Sequence, residues 1–130
     1  MSAEDKIVVG FIDPQKKTIS KITIENDLQK IYELLNCEVI EAVPLHNVGQ
    51  TKRYVICDEN GRLHEGKKYF TQIHDGPSIV FCGKLLLVGE NKGDFTDCPY
   101  SIDDMKEIVE FKDEEYEDIL MPPIIVKAAR

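Results

Sequence analysis

A chain of 130 residues has room for one domain around a single core. Its hydrophobic fraction of 42% and charged fraction of 31% exclude a disordered or fibrous polymer, and no apolar run approaches the ~20 residues that span a bilayer. A net charge of −8 repels nucleic acid, so neither nucleic acid nor a membrane is an expected partner.

The opening "MSAEDKIVVGF" places acidic residues where a signal peptide carries positive charge, which fits a cytoplasmic protein. The cysteines are Cys37, Cys57, Cys82 and Cys98. None forms C-x-x-C, and none stands near a histidine at zinc-ligand spacing. Free thiols in a reducing compartment are expected, with no metal and no cofactor.

In chain order, "KIVVGFI" (6–12) reads as a strand, "DPQKK" as a turn, and "TISKITI" as a second strand, so the chain opens on a hairpin. In "ENDLQKIYELLNCEV", Asn26 is a cap with Gln29 three residues on, as in a capping box. Leu28, Ile31, Tyr32 and Leu35 then share one helix face, and Asn36 is a left-handed stop. "CEVIEAVPL" is a strand, and "RYVICDENGRL" reads as strand, Asn60–Gly61 bend and strand. "KKYFTQI" is a further strand and "HDGPS" a loop. "IVFCGKLLLVGE" is one kinked strand or two short ones around Gly83.

"VGENKGDFTDCPYSIDD" (88–104) packs five acidic side chains into one short span, the density expected of a cation loop. An EF-hand loop needs alternating acidic positions, then a glycine, then a glutamate. Here Gly93 precedes Asp94 and Asp97, and Pro99 interrupts the spacing, so a turn leading into a helix is the better reading. Ser101 and Asp104 form a second capping box, and Ile102, Met105, Ile108 and Val109 form the apolar stripe behind it.

The charge is concentrated late. Residues 1–102 carry 15 acidic and 12 basic side chains, a net of −3, whereas 103–118 carry nine and two, a net of −7. Lys127 and Arg130 bring the sum to −8. Read as one acidic helix from Asp103 to Asp118, this stretch offers Asp103, Asp104, Glu107, Glu110, Glu114 and Glu115 to a protein partner.

Against that background stand two basic pairs, Lys52–Arg53 and Lys67–Lys68. Converging with His74 and the amides of "HDGPS", they would hold a small anion; lying apart, they would blunt exposed strand edges. His46, His64 and His74 all fall in turn-like contexts. No G-x-S-x-G, Walker A or G-x-G-x-x-G pattern occurs, so the motifs favour a protein without catalysis. The C-terminal "ILMPPIIV" is apolar and broken by proline. It divides the chain into a domain over 1–118 and a tail over 119–130. Such a tail either packs back as a last strand or joins a neighbouring subunit's sheet edge, making a homo-oligomer.

"CEVIEAVPL", "VICDENGRL" and "GKLLLVGENKGDFTDCPYSIDDM", in this order, resemble a domain-of-unknown-function family of small phage and mobile-element proteins. The likeness runs from Glu38 to Phe111 and rests on Gly83, Val88, Gly89, Gly93, Phe95 and Asp97. It departs between Leu63 and Ser78, where "HEGKKYFTQIHDGPS" is longer than the family's proline–asparagine segment. The resemblance implies a setting where small acidic domains bind a host protein or a signal molecule.

The expectation is therefore an α+β fold: one mixed or mostly antiparallel sheet with two helices on one face. The expected function is non-catalytic docking on a host protein. The alternatives are a small-ligand module that binds or sequesters a nucleotide signal, an immunity or regulatory protein, and a small enzyme acting through a cysteine or histidine.

Overall fold

The computed structural model describes residues 5–46 and 52–117. β1 (Lys6–Asp13) and β2 (Thr18–Glu25) form the expected hairpin, paired from Lys6↔Glu25 to Asp13↔Thr18. Asp13 shapes its turn, accepting the Gln15 N–H at 3.1 Å. Helix α1 (Leu28–Leu35) is capped by Asp27 rather than Asn26: the Asp27 carboxylate accepts the Gln29 N–H at 2.8 Å. Asn26 instead donates to the Phe95 carbonyl at 3.1 Å, tying the helix entry to a distant hairpin. Asn36 ends the helix with φ 55°, as its residue type suggests. Only Ile31 and Leu35 of the apolar face are buried, and Leu28 remains 53% exposed.

After α1 come β3 (Ile40–Pro44), β4 (Lys52–Asp58), β5 (Phe70–His74), β6 (Ser78–Cys82), β7 (Leu85–Asn91), β8 (Asp94–Thr96), α2 (Ile102–Ile108) and β9 (Val109–Phe111). The expected hairpin at Asn60–Gly61 is corrected. A type I′ turn needs positive φ at both central residues, but Asn60 has φ −103° and Gly61–Leu63 form a 3-10 turn. Gly61 is needed for close approach: a Cβ there would stand 2.9 Å from the Cys82 carbonyl oxygen. The positive-φ pair occurs instead at Lys92 (55°) and Gly93 (90°), which join β7 to β8.

The architecture is α+β with two helices, and every strand pairing described is antiparallel. The expectation of one sheet with both helices on one face is corrected. A six-stranded sheet has the order β2-β1-β7-β4-β3, with β8 paired to β7, and a three-stranded sheet has the order β6-β5-β9. Gly83, at φ 93°, is where the chain leaves one sheet for the other. The reason lies in β7. Leu85, Leu86, Leu87 and Val88 are all closed to solvent, so the strand is apolar toward both sides and needs cover on both. On one side Leu86 and Val88 join Ile7, Val9 and Ile56 beneath Ile31 and Leu35 of α1. On the other, Leu85 and Leu87 join Ile12, Val55, Ile73, Phe81 and Met105 of α2. Full burial of each such side chain contributes about 1.5–3 kcal/mol.

Helix α2 carries the expected capping box: Ser101 Oγ accepts the Asp104 N–H at 3.0 Å, and the Asp104 carboxylate accepts the Ser101 N–H. It does not run on to Asp118. The helix stops at Ile108, because β-branched Val109 and aromatic Phe111 pair as β9 with Ile73 and Thr71 of β5.

The acidic span at 88–104 is spent on the backbone. β1 pairs with β7 only at Gly10–Ile12, and β8 takes that edge of β7 further along, at Gly89↔Thr96. Val8 would be left open there. Asp97 Oδ1 accepts its N–H at 2.8 Å, and the Cys98 N–H reaches its carbonyl at 2.7 Å. No described helix is long and apolar enough to cross a membrane, which says nothing of β-barrels. The C-terminal tail expected at 119–130 lies outside the described residues.

Candidate binding surfaces

The basic pairs do not converge. Lys52 stands opposite Glu90 across β4 and β7, with Nζ 3.9 Å from the carboxylate. Arg53, the next residue, turns to the other side and enters the seam between the two sheets. Its guanidinium lies 4.5 Å from the centre of the Tyr100 ring, and its Nη1 reaches Asp75 Oδ2 at 3.5 Å. The Tyr100 hydroxyl donates to the same carboxylate oxygen. Arg53 and Asp75 side chains are only 17% and 13% exposed, and Tyr100 is buried. Burial first, then the bond to Asp75, pushes the Tyr100 phenol above its ordinary value. This cluster ties β4 of the large sheet to the β5–β6 turn of the small one. Arg53 is thus occupied by structure, and its Nε is buried without a hydrogen-bond partner among the described residues.

Lys67 and Lys68 lie elsewhere, before β5. Lys67 Nζ donates to Glu114 Oε1 at 3.0 Å and stands 5.6 Å from the Tyr69 ring. Both lysines line a cleft of about 290 Å³ with Lys84 and His64, but Asp13, Asp58 and Glu65 line it too. His64 is bonded to Asp58 at 2.7 Å. His74 sits away from this cleft. Its Nδ1 meets Ser78 Oγ and its Nε2 meets Glu110 Oε1, each at 2.8 Å, which stitches the β5–β6 turn to β9.

The six carboxylates expected on one helix are distributed over three elements. Asp103, Asp104 and Glu107 are exposed on α2, Glu110 is on β9, and Glu114 and Glu115 are in the turn beyond it. Glu110 and Glu114 are engaged. The bonds from His74 and then Lys112 lower the Glu110 carboxyl below its ordinary range, and the bond from Lys67 does the same for Glu114. Asp103, Glu107 and Glu115 make no ion pair among the described residues.

Burial disfavours the thiolate at three of the four cysteines. Burial, with Glu41 adding to it, pushes Cys57 up to about 12, and burial likewise raises Cys37 and Cys98. Among the described residues no group of three or more His, Cys, Asp or Glu side chains is placed to hold a metal ion. Sequence reasoning missed the Arg53–Asp75–Tyr100 cluster, whose members are separated by whole elements. The one local signal was a tyrosine directly before a capping-box serine.

Fold and surfaces together define a small two-sheet α+β module with a buried arginine–aspartate–tyrosine staple and an acidic outer rim. The chain belongs to the family described as Domain of unknown function (DUF3846), whose family model matches residues 7–111, from the start of β1 to the end of β9. No curated protein and no solved structure matches it.

Proposed function

We propose that this chain is a small, acidic, non-catalytic binding protein of phage or mobile-element type that docks on a host protein. The observation that carries this reading is the outward face of α2. Asp103 and Glu107 are exposed there without an ionic partner among the described residues, beside Asp104 of the capping box. Uncompensated carboxylates on a rigid element steer encounter with a basic surface and set the rate of association. Glu115 extends the same rim. The phage or mobile-element setting is supported by the resemblance of the strands and turns between Glu38 and Phe111. Four free thiols suit a cytoplasmic location.

The test compares the full chain with an Asp103→Asn, Glu107→Gln, Glu115→Gln variant, each change keeping side-chain shape. Both are used to capture proteins from host extract at low and moderate salt. The expected result is a basic protein retained by the parent chain, released by salt and lost from the variant. An identical captured set from both would overturn the reading.

A second reading is favoured by the convergence of Lys67, Lys68 and Lys84 on one cleft. It makes the chain a module for a small anion such as a nucleotide signal. Thermal unfolding with a nucleotide panel separates the two, because a ligand that binds only the folded chain raises the midpoint. An unchanged midpoint at millimolar nucleotide removes the second reading and leaves the first.

A further inference from the structure

β2 is an outer strand of the large sheet, eight residues long, and it pairs with β1 at every position without a bulge. The other outer strands are blunted or short. β3 ends on Pro44, β8 and β9 have three residues each, and β6 is met by Arg62 Nη2 on the Val80 carbonyl at 2.6 Å. A long, regular outer strand is a template for pairing with another chain.

We infer that β2 pairs antiparallel with β2 of a second copy about a two-fold axis at Thr23, joining two large sheets into one. The direction of its backbone groups supports this pairing. The Val8 N–H meets Asp97 and the Val8 carbonyl receives the Cys98 N–H, so both point away from β2. Backbone groups alternate in direction along a strand, so those of Ile7, Val9 and Phe11 point to β2 and its residues Ile24, Ile22 and Ser20. Lys21, Thr23 and Glu25 therefore turn their N–H and carbonyl groups outward. Among the described residues the only bond to these groups is the Asp27 N–H on the Glu25 carbonyl, at 2.9 Å, which leaves that oxygen a second lone pair.

The side chains fix the register. An axis at Thr23 sets Lys21 opposite Glu25 of the second copy and, by symmetry, Glu25 opposite its Lys21. Neither side chain makes an ion pair among the described residues, so each charge is free for the other. An axis at Lys21 or at Glu25 would instead set like charges opposite each other, which opposes association. On the other face of the strand, the axis at Thr23 places Ile22 beside Ile24 of the second copy. Both isoleucines are only partly buried against the core under α1, and this contact closes the surface they leave open.

The experiment measures solution mass across a dilution series, with amide hydrogen exchange, on the full chain, on Lys21→Glu and on Lys21→Glu combined with Glu25→Lys. The parent chain should double its mass as concentration rises, and exchange at Lys21, Thr23 and Glu25 should slow in step. Lys21→Glu turns both symmetry-related pairs repulsive and should weaken association by about tenfold or more, whereas the doubly reversed chain should regain it. Protection kept in β1 and β7 shows that each variant is folded. A parent chain that stays monomeric at every concentration would overturn the proposal. So would doubling that ignores the charge reversals, because the contact would then lie on another surface.

Discussion

At the seam between the sheets, Arg53 and Asp75 keep less than a fifth of their side-chain surface in water. At the rim, Lys67 and Glu114 keep 50% and 64%, and His74 and Glu110 keep 42% and 52%. Both regions pair basic side chains with carboxylates at hydrogen-bond range, yet their energetic roles differ. In the seam, removing one partner strands the other away from solvent, so the cluster acts as a structural staple. At the rim, water replaces a lost partner almost as well, so those charges govern encounter rather than stability. An ion pair's role is thus read from its exposure before its distance.

That contrast breaks most visibly at Arg53. Arg53→Met leaves the Asp75 carboxylate without its cation and should cost about 3 kcal/mol, seen as a lower urea midpoint at unchanged slope. Tyr100→Phe removes the hydrogen bond to the same carboxylate and should cost about 2 kcal/mol. It should also change the alkaline limb. The folded Tyr100 phenol is raised above its ordinary 10.0, so its contribution is complete below that value and is lost as pH climbs toward the raised one. The parent chain should therefore lose stability above pH 10.0 more steeply than Tyr100→Phe. A parallel decline in both would place the raised phenol elsewhere.

Ser101→Ala tests an intermediate case, a polar group serving an exposed helix end. Losing the cap of α2 should cost about 1 kcal/mol by thermal or urea unfolding. The smallest effect is expected from Glu110→Gln with Glu114→Gln. Both carboxyls are lowered below an ordinary 4.5, so their pairs contribute fully above that pH and are lost as acid carries the solution through the lowered values. Because the pairs stand in water, the acid midpoint should stay where it is. A marked acid shift would show that the rim holds the fold as the seam does.

The sequence made local features legible where a short-range pattern dictated them. The β1–β2 hairpin, the buried Ile31 and Leu35, the left-handed Asn36 and the Ser101–Asp104 box all follow from neighbours within a few residues. What escaped was decided at long range. Asn60–Gly61 has hairpin composition, but the glycine was spent on approach to Cys82 rather than on positive φ. The stripe from Ile102 to Val109 reads as continuing helix, yet β5 offered Val109 an edge to pair with. Among the candidate ligand residues, Arg53 and Lys52 are adjacent in sequence, but strand alternation sends them to opposite faces. The four-residue run Leu85–Val88 did carry the clue to a sheet covered on both sides, since it has no alternation at all.

The pairing of β1 with β7 brings Gly10 against Leu87, so the first strand waits for a partner near the far end of the matched domain. During synthesis the β1–β2 hairpin leaves the ribosome before Leu85–Leu87, the partners of its inner edge at Gly10–Ile12, have been made. A nascent chain stalled in that interval presents the sticky surface that chaperones recognise, and closing so long a loop makes the central sheet the slow step of folding.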